Sequence, residues 1–423
     1  MLNRLTKIKA GALQYVLVIS VIIAIILLTF ILLINLQNKL SVKHLFYKQA
    51  ILNVNYGFDY LSNTDIEYNQ VLTKQFSDNI KESTSILKKK WGVFEIGSVT
   101  SKVEQEYFQK LGLLSWWQDK RKALYLQDNN TPLVMVGDAK IVGDVFLPKR
   151  GIKTGNIGGT SFYNNKLIEG VKHTSTNKLP QISNSIVIEQ LLKHYYLNDS
   201  IQIFELEENL NIIQSFNKKT LLHETTSSIY LQNISLKGNI IVRSDRKITI
   251  AASAKLNDII LVAPEIVLEK NVTGNFQAFA TKAITIHENC KINYPSSLVL
   301  LLNRDEAKKN QKEKRIELKQ GVVFKGVIIY KKENSELQQG NYNPQIIIKE
   351  KTTVTGEIYC EANLELLGEV KGMVITKNFI TNQQGSTYIN HILNGTINAN
   401  KLPTQYVGLN LNSSNQNIAK WLY

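Results

Sequence analysis

The chain has few residues of the kinds that mark redox and metal proteins. Its only two cysteines, Cys290 and Cys360, lie seventy residues apart, which excludes a CxxC redox motif and a cysteine zinc cluster. A disulfide between them, which needs an oxidising compartment, and two unpaired buried thiols are both open interpretations. The six histidines are dispersed, and no two have the spacing that brings two imidazoles to one metal ion. The sequence therefore predicts no metal site and no cofactor.

The common catalytic motifs are also missing. The chain has no GxSxG nucleophile elbow, no Walker phosphate loop and no dinucleotide fingerprint. One short segment, Arg243-Ser244-Asp245-Arg246, with Asp258 further along, has the charges of a glycan-cleaving site. No acidic position recurs at the spacing of the repeats described below, so a paired-carboxylate site is unsupported. We therefore expect no catalytic residues and a protein that is not an enzyme.

Acidic residues are outnumbered by basic ones. The 50 lysines and arginines against 35 acidic residues give a formal net charge of +15. A basic protein can bind nucleic acid, anionic lipid or acidic glycans. The lysines here are scattered along the chain, which is typical of a solvated surface, so we expect no nucleic acid partner. The 423 residues, 43% of them hydrophobic, are enough for two or three domains' worth of core.

Charge is absent from residues 12–34, ALQYVLVISVIIAIILLTFILLI. A helix of about twenty residues spans about 30 Å, the thickness of the hydrocarbon core of a bilayer. This apolar run is longer than that of a cleaved signal, and no A-x-A pattern follows it. We predict an uncleaved transmembrane helix at 12–34 that contacts membrane lipid. Basic residues flank both ends, and the free amino terminus favours a single-pass protein of the cytoplasmic (inner) membrane with an extracytoplasmic body.

The next segments are predicted to link the membrane to the body. Residues 35–62 form an amphipathic stalk helix and residues 63–130 a mixed α/β connecting region, with a helix to about Lys90 and a strand near 93–99. The stalk has one apolar stripe, at Leu36, Leu40, Tyr47, Ile51, Val54, Phe58 and Leu61. The adjacent Trp116 and Trp117 should point to opposite faces of a strand, one into the core, and are a candidate glycan platform.

The body carries an internal repeat. Ile248, Ile266 and Ile284 lie eighteen residues apart, each within a short β-branched segment. A step of sixteen follows, where Val354–Ile358 aligns with Val370–Val374 and Leu364 with Ile380, and Val323–Ile329 is a further strand–Gly–strand copy. Periods of 16–18 residues with two or three short strands are typical of one coil of a β-solenoid. Cys290 shares the longer step with Ala254 and Val272, so we expect it to point inward and to be structural.

The repeat sets the predicted fold class. The chain is mainly β, with the transmembrane helix and amphipathic stalk helix followed by a parallel β-helix (β-solenoid) with a helical insertion. The solenoid occupies 131–402, interrupted near 185–220 by the helical insertion and at 303–320 by a charged surface loop. Residues 403–423 form a C-terminal tail or cap.

The border of the apolar helix, Lys9-Ala10-Gly11-Ala12-Leu13-Gln14-Tyr15, resembles the N-terminus of type IV pilins and pseudopilins, including PilX-like minor pilins. The resemblance implies a short basic cytoplasmic leader, 1–11, that is cut after Gly11, so that Ala12 becomes the new terminus. Val16 stands where major pilins have Glu, and Ala12 where Phe is common. The resemblance also implies other pilin-like or envelope proteins as partners, bound through the N-terminal helix.

The repeats themselves resemble bactofilins, which are polymer-forming cytoskeletal β-helices. The resemblance lies in the V-x-G-x-I units at Val354–Ile358 and Val370–Val374, together with Gly137–Val145. It implies self-assembly. Three functions follow from the sequence: a minor-pilin-like structural component of a type IV pilus or secretion apparatus, a membrane-tethered polymer-forming scaffold, and an extracytoplasmic glycan-binding or glycan-processing protein. The first is our main expectation.

Overall fold

A computed structural model describes residues 10–77, 81–118, 120–182, 201–302, 314–332, 342–411 and 415–422. The protein is mainly β, with one long apolar helix near the N-terminus. The chain divides into two compact units. Unit 1 comprises Met1–Asp59, Val71–Ile86 and Val99–Gln109, and unit 2 comprises Tyr60–Gln70, Leu87–Ser98 and Lys110–Tyr423.

A single helix, α1, runs from Ala10 to Asn63 without a break. The predicted transmembrane span and the predicted stalk are therefore one continuous helix, as expected of a segment that contains no proline and whose first glycine after Gly11 is Gly57. Residues 11–45 are all exposed, and from Phe46 onward burial recurs every three or four residues. The amphipathic face thus begins later than the predicted stripe, whose first two members, Leu36 and Leu40, are exposed.

The strands of the first half of the chain are short, apart from three near its start. They are β1 (Val71–Lys74), β2 (Glu82–Trp91), β3 (Phe94–Val103), β4 (Glu106–Trp116), β5 (Lys122–Leu126), β6 (Leu133–Val136), β7 (Lys140–Val142), β8 (Asp144–Leu147), β9 (Ile152–Thr154), β10 (Asn156–Ile157), β11 (Thr160–Ser161) and β12 (Lys172–Thr174).

The second half continues with short and long strands, of which β28 and β29 are the longest. They are β13 (Ile201–Ile203), β14 (Asn211–Gln214), β15 (Thr220–Thr225), β16 (Ile229–Leu231), β17 (Ser235–Gly238), β18 (Ile240–Ser244), β19 (Lys247–Ile250), β20 (Lys255–Val262), β21 (Glu265–Leu268), β22 (Thr273–Ala280), β23 (Ala283–Ile286), β24 (Lys291–Leu302), β25 (Arg315–Leu318), β26 (Val323–Lys332), β27 (Ile346–Ile348), β28 (Thr353–Leu366), β29 (Glu369–Gln383), β30 (Ser386–Ile389), β31 (His391–Leu393), β32 (Thr396–Asn398) and β33 (Gln416–Leu422), with a 3₁₀ turn at Ala399–Lys401.

Five strands form a separate sheet in the order β1-β2-β3-β4-β33. Two-residue turns join β2 to β3 and β3 to β4, a length that only antiparallel neighbours allow. The predicted helix up to Lys90 is wrong, because β2 occupies that segment and alternate residues are buried at its start, with the period of two of a strand. The predicted strand near 93–99 is confirmed within β3.

Most other strands belong to one large, mainly parallel sheet whose pairings form three ladders. The first ladder runs β16-β19-β21-β23-β25-β27-β28. Each strand of a ladder is one rung. In the first ladder, Ile248 lies directly opposite Ile266, and Ile266 opposite Ile284. The eighteen-residue step read from the sequence is therefore the step between neighbouring rungs of this ladder.

The second ladder runs β14-β17-β20-β22-β24-β26-β28-β29-β32-β7. Gly326, Gly356 and Gly372 stack on three successive rungs. Val354 lies opposite Val370, which confirms the sixteen-residue alignment. Leu364, however, lies opposite Phe379 rather than Ile380, because the register shifts by one residue between Cys360 and Asn363.

The third ladder begins at β13-β15-β18-β20-β22-β24-β26-β28-β29. It then continues through β5, β8 and β12, which come from the first half of the chain. Val374 of β29 pairs with Leu124 of β5. The order of rungs in space is therefore not the order of the strands along the chain.

Two of the predicted insertions need correction. In the expected helical insertion near 185–220, residues 183–200 lie outside the described part, and β13, β14 and the start of β15 occupy 201–220. In the expected charged loop at 303–320, residues 303–313 lie outside it, and Arg315–Leu318 is a rung of the first ladder. Ile316 and Leu318 of that rung are fully buried, and Glu317 between them is 4% exposed and forms ion pairs with Arg315 and Lys319, so this part of the segment belongs to the stack of strands.

Candidate functional site

The exposed part of α1 is the most distinctive apolar surface of unit 1. Its most apolar eighteen-residue window has a mean hydropathy of 3.4, and none of it is buried. The hydroxyls of Ser20 and Thr29 donate to the carbonyls of Leu17 and Ile26 in the same helix, at 2.8 Å and 2.6 Å. Between Val16 and Ile34 the helix therefore leaves no polar side-chain group in need of water. The helix is long and apolar enough to span a membrane.

A buried polar cluster lies where the second part of α1 meets the strands of unit 1. The Asn53 side chain is fully buried, and its Nδ2 donates to Oε2 of Glu82 at 2.5 Å. The other carboxylate oxygen of Glu82 accepts hydrogen bonds from the backbone N–H groups of Phe76 and Ser77, each at 2.6 Å. The Glu82 carboxylate therefore accepts one hydrogen bond from α1 and two from the chain before β2, which ties these segments together.

The same cluster extends to β3 and along α1. Nδ2 of Asn53 also lies 3.3 Å from Oγ of Ser101, which is the acceptor of a hydrogen bond from the Thr84 hydroxyl at 3.0 Å. Nε2 of Gln49, one turn earlier on α1, donates to Oδ1 of Asn53 at 2.9 Å. The carbonyl oxygen and the NH₂ group of the Asn53 side-chain amide are thus both satisfied inside unit 1, which fixes the rotation of α1 about its axis against β2 and β3.

Close packing accompanies the polar cluster. A Cβ atom at Gly57 would lie 2.5 Å from Cγ1 of Val99, so α1 approaches β3 more closely than any other residue type would allow. Nearer to the exposed part of α1, the rings of Tyr47 and Phe108 meet edge to face with centroids 5.8 Å apart. Asn53 and Gly57 are not among the residues predicted from the sequence. The available signal was that each directly precedes a residue of the apolar stripe, Val54 or Phe58, where polar and small residues mark close contacts.

The predicted processing site lies at the start of α1. Gly11 and Ala12 are both helical and exposed, and residues 1–9 of the predicted leader lie outside the described part. A Cβ atom added at Gly11 would meet no other atom within 4 Å. The fold therefore has no steric need for glycine at this position.

The two tryptophans do not form a shared platform. The Trp116 side chain is buried, at 6% exposure, so it offers no face to a sugar ring. Trp117 is half-buried, and its Nε1 donates to the carbonyl of Thr404 at 3.0 Å. The expectation that one indole is core and the other partly exposed is confirmed. Because Trp116 is inside the protein, a glycan platform would rest on Trp117 alone, and it stays a prediction.

The two cysteines are free and buried, so the disulfide interpretation is wrong. Cys290 directly precedes β24, and Cys360 lies within β28, two rungs away through β26. Neighbouring strands lie about 4.8 Å apart, so two rungs exceed the reach of a disulfide, whose Cα atoms lie within about 7 Å. The prediction that Cys290 points inward is confirmed, since it is fully buried in the cluster that contains Ala254 and Val272.

Arg243 and Asp258, which have the charges of a glycan-cleaving site, are engaged in separate ion pairs. Nε of Arg243 lies 2.9 Å from Oε1 of Glu224 on the neighbouring rung. The Asp258 carboxylate accepts hydrogen bonds from Lys420 at 2.6 Å and from Asn275 at 2.9 Å. The first contact joins β18 to β15, and the other two join β20 to β33 and β22. Within the described ranges there is also no group of three or more metal-ligating side chains.

Comparisons with known proteins return no match: no family model, no curated protein and no solved structure resembles this chain significantly.

Proposed function

We propose that this protein is a minor-pilin-like structural component of the cell envelope, anchored in the cytoplasmic membrane by the apolar part of α1. In this proposal the three parallel ladders are the faces of a β-solenoid body outside the cytoplasm. The protein would join a type IV pilus or a secretion-like apparatus, with neighbouring subunits contacting it through the exposed apolar helix.

The observation that carries this proposal is the division of one continuous helix into two kinds of surface. Residues 11–45 are exposed, with an uncharged, strongly apolar stretch at 12–34, while the following turns are buried by β strands through Asn53, Val54 and Gly57. A buried polar cluster fixes the second half of the helix in unit 1. A subunit that transmits position from helix to body would need it.

The test is the N-terminus of the mature protein, measured by mass spectrometry on full-length protein from its native membrane. Processing after Gly11 would give a chain that begins at Ala12. The matched variant is Gly11→Leu, which the open space around Gly11 accommodates and which should block the cut without changing the fold. A wild-type chain that begins at Met1 would refute the pilin-like proposal.

A membrane-tethered scaffold of the bactofilin type is the second candidate. The regular stacking of Gly326, Gly356 and Gly372 favours it, because such regular rungs can continue from one molecule to the next. A scaffold would keep Met1, and the full-length protein reconstituted in vesicles would form ordered polymers seen by electron microscopy. Monodisperse particles at high protein concentration would exclude this candidate.

A further inference from the structure

A polar cavity of about 270 Å³ lies in unit 2. Its walls come from the last residue of β26, from β28, β29 and β30, and from the segments that follow β5 and precede β27. The described lining consists of Asn129, Thr131, Lys332, Tyr342, Ala362, Asn363, Lys377, Asn378, Ile380 and Ile389. It contains two lysines and, among these residues, no carboxylate.

Three asparagines build one wall of this cavity. Nδ2 of Asn129 donates to Oδ1 of Asn378 at 2.8 Å, and Nδ2 of Asn378 donates to Oδ1 of Asn363 at 3.0 Å. Asn363 and Asn378 occupy opposite positions on neighbouring rungs, so the amides form a ladder across the strands. Nδ2 of Asn363 donates in turn to the carbonyl of Asn343 at 3.0 Å. The wall is therefore held in place before any ligand arrives.

The charge of the cavity comes from Lys332 and Lys377. Lys332 is 6% exposed and lies opposite Leu302; it follows Tyr330 by two residues, so both side chains point to the same, inner side of β26. The pKa of Lys332 is lowered, first by burial and second by the positive charge of Lys377. The nearby Glu361 offsets only part of this lowering. The Glu361 carboxylate accepts hydrogen bonds from the Lys332 backbone N–H and the Tyr359 hydroxyl, at 2.9 Å and 3.1 Å.

We propose that this cavity binds one carboxylate-bearing sugar residue, of the hexuronate class. Lys332 and Lys377 would hold the carboxylate, since two like charges repel each other until an anion lies between them. The amides are engaged within the wall, so the groups that suit sugar hydroxyls are the second lone pairs of the amide oxygens and the Thr131 hydroxyl, which accepts from Nδ2 of Asn390 and can donate its own proton. Tyr342, 56% exposed, supplies an aromatic ring of the kind that sugar C–H faces contact. The volume is that of a site for one ring, slightly below the usual range for small-molecule pockets.

The experiment is a titration of the detergent-solubilised full chain with sodium glucuronate, glucose and sodium phosphate, by calorimetry and saturation-transfer NMR. We expect saturable glucuronate binding and at least about tenfold weaker binding of glucose, which lacks the charge that the lysines recognise. Phosphate binding as tight as that of glucuronate would overturn the sugar assignment. Absence of glucuronate binding at tens of millimolar would overturn the proposal altogether.

Variants locate the binding to these residues. Lys332→Gln and Lys377→Gln should each weaken glucuronate binding about tenfold, which is the loss of one charge-assisted contact. Lys377→Gln is the safer variant, since Lys377 is half-buried whereas Lys332 is buried. The matched control is Lys325→Gln, an exposed lysine on the same strand β26, which should leave binding unchanged. Equal binding by all three variants would refute the assignment. This outcome is independent of the processing of Gly11.

Discussion

The buried amide of Asn53 should decide how firmly α1 is held in unit 1. Asn53→Ala removes a hydrogen bond to the Glu82 carboxylate and leaves that buried carboxylate with the N–H groups of Phe76 and Ser77. Hydrogen bonds to charged groups contribute about 1.5–3 kcal/mol, and alanine returns up to about 0.7 kcal/mol in helix propensity. Asn55→Ala is the matched control, because Asn55 is exposed on the same helix and gains the same propensity.

The two variants should therefore differ by about 1.5–3 kcal/mol in the local opening of unit 1, or roughly 10- to 100-fold in the opening equilibrium. Amide hydrogen exchange of the full chain in micelles, followed by mass spectrometry, reads this directly on peptides that cover residues 49–58 and 82–86. Tryptophan fluorescence would not report the opening of unit 1, since all four tryptophans, at positions 91, 116, 117 and 421, belong to unit 2. Equal exchange in Asn53→Ala and Asn55→Ala would refute the role given to the cluster.

Three further predictions concern unit 2. Gly356→Ala should lower the Tm far more than Gly385→Ala, because both glycines have positive φ but only a Cβ at 356 would overlap the backbone of the neighbouring rung; thermal unfolding compares them. Burial raises the pKa of Glu357 to about 7 from 4.5, so stability should fall by up to about 3 kcal/mol between pH 4.5 and 7, and Glu357→Gln should flatten this decline in urea titrations. Burial also raises the pKa values of Cys290 and Cys360 to about 11 and 12, so Ellman's reagent should find no reactive thiol in the native protein and two after denaturation; a native disulfide would contradict this.

The sequence predicted best those features that depend on nearest neighbours in a regular repeat. Inward residues of neighbouring rungs face the same environment, so like residues recur at the rung spacing, and Ile248, Ile266 and Ile284 indicated the register directly. The continuous apolar helix followed from length and composition alone. The same logic failed at Leu364, where one extra residue in the strand shifts the register, since a single-residue irregularity leaves no trace in an averaged period.

Two other features, β2 and the polar cavity, depend on polar residues that a hydrophobicity pattern does not reveal. The segment that ends at Lys90 contains three consecutive lysines. Its buried positions are largely occupied by polar residues, because Glu82, Thr84 and Lys88 are buried through partners elsewhere in the chain. A hydrophobicity pattern cannot register a buried glutamate or lysine. The polar cavity was missed for a related reason, since Asn129 and Asn378 are brought together by rung pairing and are far apart in sequence.

The order of the rungs has a consequence for folding that no local pattern contains. β5 completes its pairing only when β29, almost 250 residues later, lies beside it, so the rungs formed by β5, β8 and β12 have no neighbour on one side until the C-terminal part of the body is made. Closing so long a loop costs more entropy than stacking consecutive rungs. The contacts that offset this cost form only when β29 meets β5. The rungs from β15 to β29, in contrast, can add one by one, each covering the apolar row of the one before. The stack from β15 to β29 should therefore be the folding nucleus of unit 2, and β5 to β12 should dock onto it late, which places the asparagine ladder between Asn129 and Asn378 at the final junction of the fold.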